Sequence, residues 1–122
     1  MPQALWTIDA YQTETGENPA WAFIRALEGR DKVEAIALVK LLEEKGSALR
    51  RPHSGALGEG LFELRGREVR LFYMFLPNRF IVLLDGEIKK RDDIPAKTLE
   101  RVRGYQKAVA RRRHGREQEK KR

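Results

Sequence analysis

A chain of 122 residues carrying a net charge of +7 is long enough for one domain with one core. It has no cysteine, which excludes disulfide staples and thiolate chemistry and suits a reducing compartment. No stretch approaches the roughly 20 apolar residues that span a bilayer, and MPQALWTIDAY lacks a charged region followed by an apolar run, so a cytoplasmic protein is expected.

Leu5 to Tyr11 alternates Trp6, Ile8 and Ala10 against polar neighbours and predicts a first strand. Glu14 to Glu17 is a loop. Asn18-Pro19 starts a helix, with Asn18 as its cap and Ala20, Phe23, Ile24 and Leu27 on one face. Gly29 ends it, and Asp31 caps a second helix whose core stripe is Val33, Ile36, Ala37 and Leu41, widened by Leu38 and Leu42. Gly46 stops that helix. So short a break makes the pair an antiparallel hairpin lying over one side of a sheet.

Ala48 to Gly60 contains Pro52 and three glycines and reads as a loop. Leu61 to Lys90 follows as three strands joined by turns at Gly66-Arg67 and Pro77-Asn78. The middle strand places Val69, Leu71, Tyr73 and Phe75 on one face and Arg70, Phe72, Met74 and Leu76 on the other. A strand apolar on both faces is a central one. The third run, Phe80 to Leu84, ends at Asp85-Gly86. Asp92, Asp93 and Pro95 mark the start of a last helix, in which Gly104 is a weak point and Gln106 takes an expected apolar slot. The fold expected is α+β: an N-terminal strand, a two-helix hairpin, an antiparallel three-strand meander and a C-terminal helix over residues 1–110. Residues 111–122 hold seven basic and two acidic residues and no apolar one, and are expected to form a frayed helix end followed by a disordered tail.

Charge is unevenly spread. Residues 1–48 hold five basic and eight acidic residues, whereas residues 49–110 hold thirteen and eight. The sheet, last helix and tail are thus basic, a pattern suited to a polyanion such as RNA. Glycine-rich phosphate loops and metal-ligand spacings are absent, Ser47 and Ser54 suggest no triad, and no cofactor is expected. Asp92-Asp93 reads as favouring a helix start, and His53 as a solvated loop side chain. Cations and tyrosine on a sheet remain. They suffice for one reaction class, because RNA carries its own nucleophile in the 2′-hydroxyl, and a protein need only orient it and stabilise charge on the phosphate.

Several segments resemble a known family. Gly58-Glu59-Gly60-Leu61-Phe62-Glu63-Leu64-Arg65 resembles a G-x-G-L-W/F-E-L-R segment of the phage-derived Gp49-like/HigB-type proteins of the RelE/ParE toxin superfamily. Val69-Arg70-Leu71-Phe72-Tyr73 resembles their next strand, and Leu83 to Lys90 with Ile94-Pro95 their L-L-H-G-F-x-K-K…x-P segment. The resemblance covers roughly residues 3–110. It implies a RelE-like fold and the toxin of a type II toxin–antitoxin system, a ribosome-dependent endoribonuclease that cleaves messenger RNA and is held inactive by a helix-turn-helix antitoxin of the HigA type. It implies Arg65 and Arg70 on phosphate with Lys89 and Lys90 beside them, and Tyr73, whose parity with Val69 and Leu71 also suits core. Arg50, Arg51, Lys97, Arg101 and Tyr105 complete the expected RNA surface. Arg70→Ala is expected to abolish activity while leaving the fold intact. Two positions depart from the pattern: Asp85 stands where many relatives have His, and Glu87 where they have an aromatic. A gyrase inhibitor of the ParE kind and a non-catalytic RNA-binding or phage-derived accessory domain remain as alternatives.

Overall fold

The computed structural model describes residues 5–120, with side chains for residues 5–113. The elements are β1 (Thr7–Ala10), α1 (Pro19–Ala26), α2 (Gly29–Lys45), a 3₁₀ turn (Gly46–Ala48), β2 (Ser54–Gly58), β3 (Leu61–Arg65), β4 (Val69–Leu76), β5 (Phe80–Ile88) and α3 (Ala96–Lys120). They form one five-stranded sheet in the order β1-β5-β4-β3-β2. β1 runs parallel to β5, and the other neighbours are antiparallel.

β4 is central, as its two apolar faces require. Val69, Leu71 and Tyr73 pack with Ile24, Leu27, Leu38 and Leu42 of the α1–α2 side. Phe72 and Met74 pack with Val102 and Val109 of α3. The sheet is therefore a middle layer with the helical hairpin on one face and α3 on the other.

Four expectations are corrected. Residues 54–58, expected in a loop, form β2, because a glycine-rich edge strand needs few apolar side chains when its backbone pairs with β3. β5 does not stop at Leu84 but continues through Asp85-Gly86 to Ile88. Phe72 pairs with Asp85 and Tyr73 with Leu83, so Leu84 is an extra residue in a β-bulge. The bulge turns both Leu84 and Asp85 toward α3. Gly86 then faces α1, where a Cβ would lie 2.3 Å from the Phe23 ring. Neither Asn18 nor Asp31 caps with its side chain: α1 has no side-chain cap bond, and α2 begins two residues before Asp31, at Gly29.

The fourth correction concerns which face of α2 is inside. Ala35, Leu38 and Leu42 are its buried residues. Val33 and Ile36, expected in the core stripe, are 69% and 43% exposed. Gly46 does stop α2, at φ +51°, and the Trp6 ring fills the space that a side chain there would need.

α3 passes unbroken through Gly104, and the boundary expected after residue 110 falls within this helix. Arg112 donates to the Gln12 carbonyl at 2.6 Å and lies over the Tyr11 ring. Residues 121–122 of the expected tail lie outside the described residues. Gln106 takes an apolar slot because its amide donates to the Glu59 carbonyl at 2.7 Å, while Arg103 donates to the Leu57 and Gly58 carbonyls. α3 thereby holds the β2–β3 turn. No helix of the described residues is long and apolar enough to cross a membrane.

Candidate functional site

The basic residues separate into two settings. The first is a paired layer between the sheet and the start of α3. Arg70 is 1% exposed. Its Nη1 meets Glu87 Oε2 at 2.6 Å, and its Nη2 donates to the carbonyls of Asp92 and Arg91. Its Nε lies 3.1 Å from Glu63 Oε2, an ion-pair separation at an angle unsuited to a hydrogen bond. Antiparallel pairing places Arg70 opposite both Arg65 and Glu87, which explains how one guanidinium reaches acids on both flanking strands. The Thr98 hydroxyl donates to the other oxygen of Glu87 at 2.8 Å. Arg101 Nε donates to Asp85 at 2.7 Å, a bond that raises the affinity of Arg101 for its proton.

Asp85 and Glu87, the two departures from the family pattern, are thus the anions that hold Arg101 and Arg70. Tyr105 packs against Tyr11 with ring centroids 4.8 Å apart. Partial burial, and then the negative charge of Asp85, raise its phenol above the ordinary range. Lys97 is exposed on α3. Lys90 lines a recess of about 520 Å³ with Arg70, Glu87, Arg91 and Asp93.

The second setting is a cleft of about 730 Å³ between α2 and the turn end of the β3–β4 hairpin. Ala37, Leu38, Leu41 and Pro52 give it an apolar floor, and Arg51, His53, Arg65, Arg67 and Lys89 surround it. Arg65 is partly exposed and 3.1 Å from Glu63 Oε1. Lys89 Nζ donates to the Gly66 carbonyl at 3.3 Å. Arg50 lies nearby in sequence, exposed, with its guanidinium on the carbonyls of Ser47 and Leu49.

Glu34 of α2 fixes this rim. Its carboxylate accepts the backbone N–H groups of Arg67, Glu68 and Val69 at 2.9, 3.2 and 3.3 Å. Burial acts to raise its pKa, but the three amides and the Arg67 charge outweigh it and hold the group below the ordinary carboxylate value. Three amides converging on one anion form an anion-binding concavity, here filled from within the chain.

Tyr73 belongs to neither setting. It is 1% exposed, stacks on Phe62 and shares a 2.7 Å hydrogen bond with Ser54. Burial raises its phenol above the ordinary value, with the Ser54 bond acting against it. The structure therefore brings Arg51, Arg65 and Lys89 together, puts Arg70 and Arg101 in ion pairs, and places Tyr73 in the core. His53, Arg67 and Glu34 were not among the expected site residues. The Gly66-Arg67 turn was legible, but nothing in the sequence said that Glu34, thirty-three positions earlier, would grip it. Among the described residues no group of three or more His, Asp or Glu side chains is close enough to hold a metal ion.

Comparison with known proteins places the chain in a class already suggested by its motifs. The family described as "Phage derived protein Gp49-like (DUF891)" matches residues 22–107. The chain belongs to this phage-derived Gp49-like family, the one that its Leu61–Lys90 segments resemble. Among solved structures, the isolated RelE toxin of E. coli is similar at 15% identity and a TM-score of 0.48, over 80% of this chain and 98% of that one. No curated protein sequence matches.

Proposed function

We propose that this protein is the toxin of a type II toxin–antitoxin system and cleaves messenger RNA on the ribosome. The observation that carries the reading is the cleft, where Arg51, His53, Arg65, Arg67 and Lys89 converge. In the reaction the 2′-hydroxyl of one nucleotide attacks the adjacent phosphorus. The bond from phosphorus to the 5′-oxygen breaks, leaving a 2′,3′-cyclic phosphate and a 5′-hydroxyl. Arg65 and Arg67 provide forked donors to the phosphate oxygens and Lys89 a point charge, so negative charge developing in the transition state is stabilised. His53 supplies the imidazole that takes the hydroxyl proton and returns one to the leaving oxygen. Arg70 acts from behind: by tying β3, β5 and the connection to α3 together, it fixes the strand ends that carry Arg65 and Lys89.

The test is purified protein added to a cell-free translation reaction and, separately, to the naked transcript. Cleavage with ribosomes that falls at least tenfold in Arg65→Ala and Lys89→Ala supports the reading. Cleavage of neither substrate removes it. A non-catalytic RNA-binding domain is the second reading, and the neutralisation of Arg70 and Arg101 by Glu63, Glu87 and Asp85 favours it. That domain would bind RNA with a steep salt dependence and leave it whole.

A further inference from the structure

The turn between β3 and β4 already holds an anion. The N–H groups of Arg67, Glu68 and Val69 converge on the Glu34 carboxylate at 2.9, 3.2 and 3.3 Å. Successive amides that point one way form a concavity for anionic oxygens, those of a phosphate included. Gly66 clears the approach. A Cβ there would lie 2.3 Å from Glu34 Oε1, so a side chain at this position would collide with the anion.

The turn has supports other than Glu34. The Gly66 N–H donates to the Val69 carbonyl at 2.9 Å, and the Lys89 N–H donates to the Glu68 carbonyl at 2.7 Å. The Lys89 ammonium rests on the Gly66 carbonyl at 3.3 Å, which keeps a cation at the same turn. Glu34 is only half-buried and lines an open cleft, so its carboxylate is an occupant that another anion can replace. The surroundings also exceed what one carboxylate needs. Among the described residues lining the cleft, Arg51, Arg65, Arg67 and Lys89 face a single carboxylate, Glu34. Glu63 answers Arg65, and positive charge is still in surplus. A phosphate offers more acceptor oxygens than a carboxylate and can take amide and guanidinium donors together.

We propose that the Arg67–Val69 amides are a phosphate-binding site, which Glu34 occupies in the free protein as an internal competitor. The ligand is a phosphate group. Its natural source rests on the toxin reading, in which it is a phosphate of the RNA chain entering beside Arg65 and Lys89. Binding exchanges the carboxylate oxygens on the three amides for phosphate oxygens and turns Glu34 out to water. Glu34 therefore lowers the affinity for phosphate. A purely structural Glu34 has the opposite sign, because its removal would loosen the turn and weaken binding.

The test uses the full chain labelled with nitrogen-15, titrated with inorganic phosphate and separately with a short single-stranded RNA. The amide signals of Arg67, Glu68 and Val69 are followed in wild type, Glu34→Ala and Glu68→Ala. Alanine suits a helix interior. Glu68 is exposed on the same turn, so its loss removes an equal charge without emptying the concavity. The expected result is saturable shifts of the three amides, with phosphate affinity at least tenfold above wild type in Glu34→Ala and within twofold of it in Glu68→Ala. Glu34→Gln keeps an acceptor but loses the charge. It should gain at least threefold, and it decides the matter if the alanine variant does not fold. Equal gains in Glu34→Ala and Glu68→Ala would show general charge attraction and overturn the proposal. So would shifts that miss these amides, or no gain in either Glu34 variant. RNA that moves the same amides identifies an RNA phosphate as the ligand, whereas phosphate binding that RNA does not reproduce assigns the site to a free phosphate compound. Transcript cleavage by wild type is read in parallel, and its absence removes the toxin reading without touching the titration.

Discussion

Arg70→Ala is expected to damage the fold as well as the activity. The guanidinium is 1% exposed and faces Glu63, Glu87 and two main-chain carbonyls. Alanine leaves two largely buried carboxylates and two carbonyls without their cation. Removing one partner of a buried pair costs about 3–5 kcal/mol. The whole stability of a domain is about 5–15 kcal/mol. For a chain of this size that loss lowers Tm by on the order of 10–20 °C. Differential scanning calorimetry and urea unfolding measure it. The combined variant Glu63→Leu/Arg70→Met/Glu87→Leu removes the charges together and should recover most of the loss, since an apolar replacement of a buried ionic group is often neutral or better. An Arg70→Ala protein with unchanged Tm and no nuclease activity would refute this reasoning and return Arg70 to direct contact with substrate.

Three other outcomes follow from the packing. Tyr73→Phe loses the buried bond to Ser54 and should cost about 1–3 kcal/mol in urea unfolding. Transcript cleavage by that variant should stay within twofold of wild type, and a hundredfold loss would place the phenol in the chemistry. Gly86→Ala drives a methyl into Phe23 and Leu71 and should cost about 1–3 kcal/mol, a loss that Phe23→Leu in the same chain should partly relieve. The carboxyl of Glu34 is held below its ordinary value, so its contribution is fully present above pH 4.5 and disappears as pH falls through the lower folded value. Glu34→Gln should therefore narrow the stability gap between pH 6 and pH 3 relative to wild type, and parallel pH profiles would show that the three-amide contact contributes nothing.

Much of the fold was readable because two periodicities were clean. β4 announced itself as central by being apolar on both faces, and its two parities divide between the helical hairpin and α3 as the alternation requires. What was not readable depends on distant pairing. β2 has no apolar alternation of its own and exists because β3 offers it a hydrogen-bonding edge. The bulge at Leu84 shifts the facing of Asp85, and alternation counted from Phe80 puts it on the wrong side. α2 carries apolar residues around most of its circumference, so spacing alone could not say which arc meets the sheet.

The candidate site was half legible for the same reason. Arg65 and Lys89 sit at strand ends, where a basic residue is free to face outward. Arg70 lies directly opposite Arg65 and Glu87 in the central strand, so its surroundings were set by register. The acids at 85 and 87 looked like losses from a reactive set. In the fold they are the partners that keep two arginines in place.

The most direct test of the central claim is induction of wild type and of Arg65→Ala/Lys89→Ala without any antitoxin, with transcript 5′ ends mapped by primer extension. New ends within translated regions, present with wild type and absent with the variant, are the predicted result. Growth arrest with transcripts intact would contradict it and point to a protein target in place of RNA.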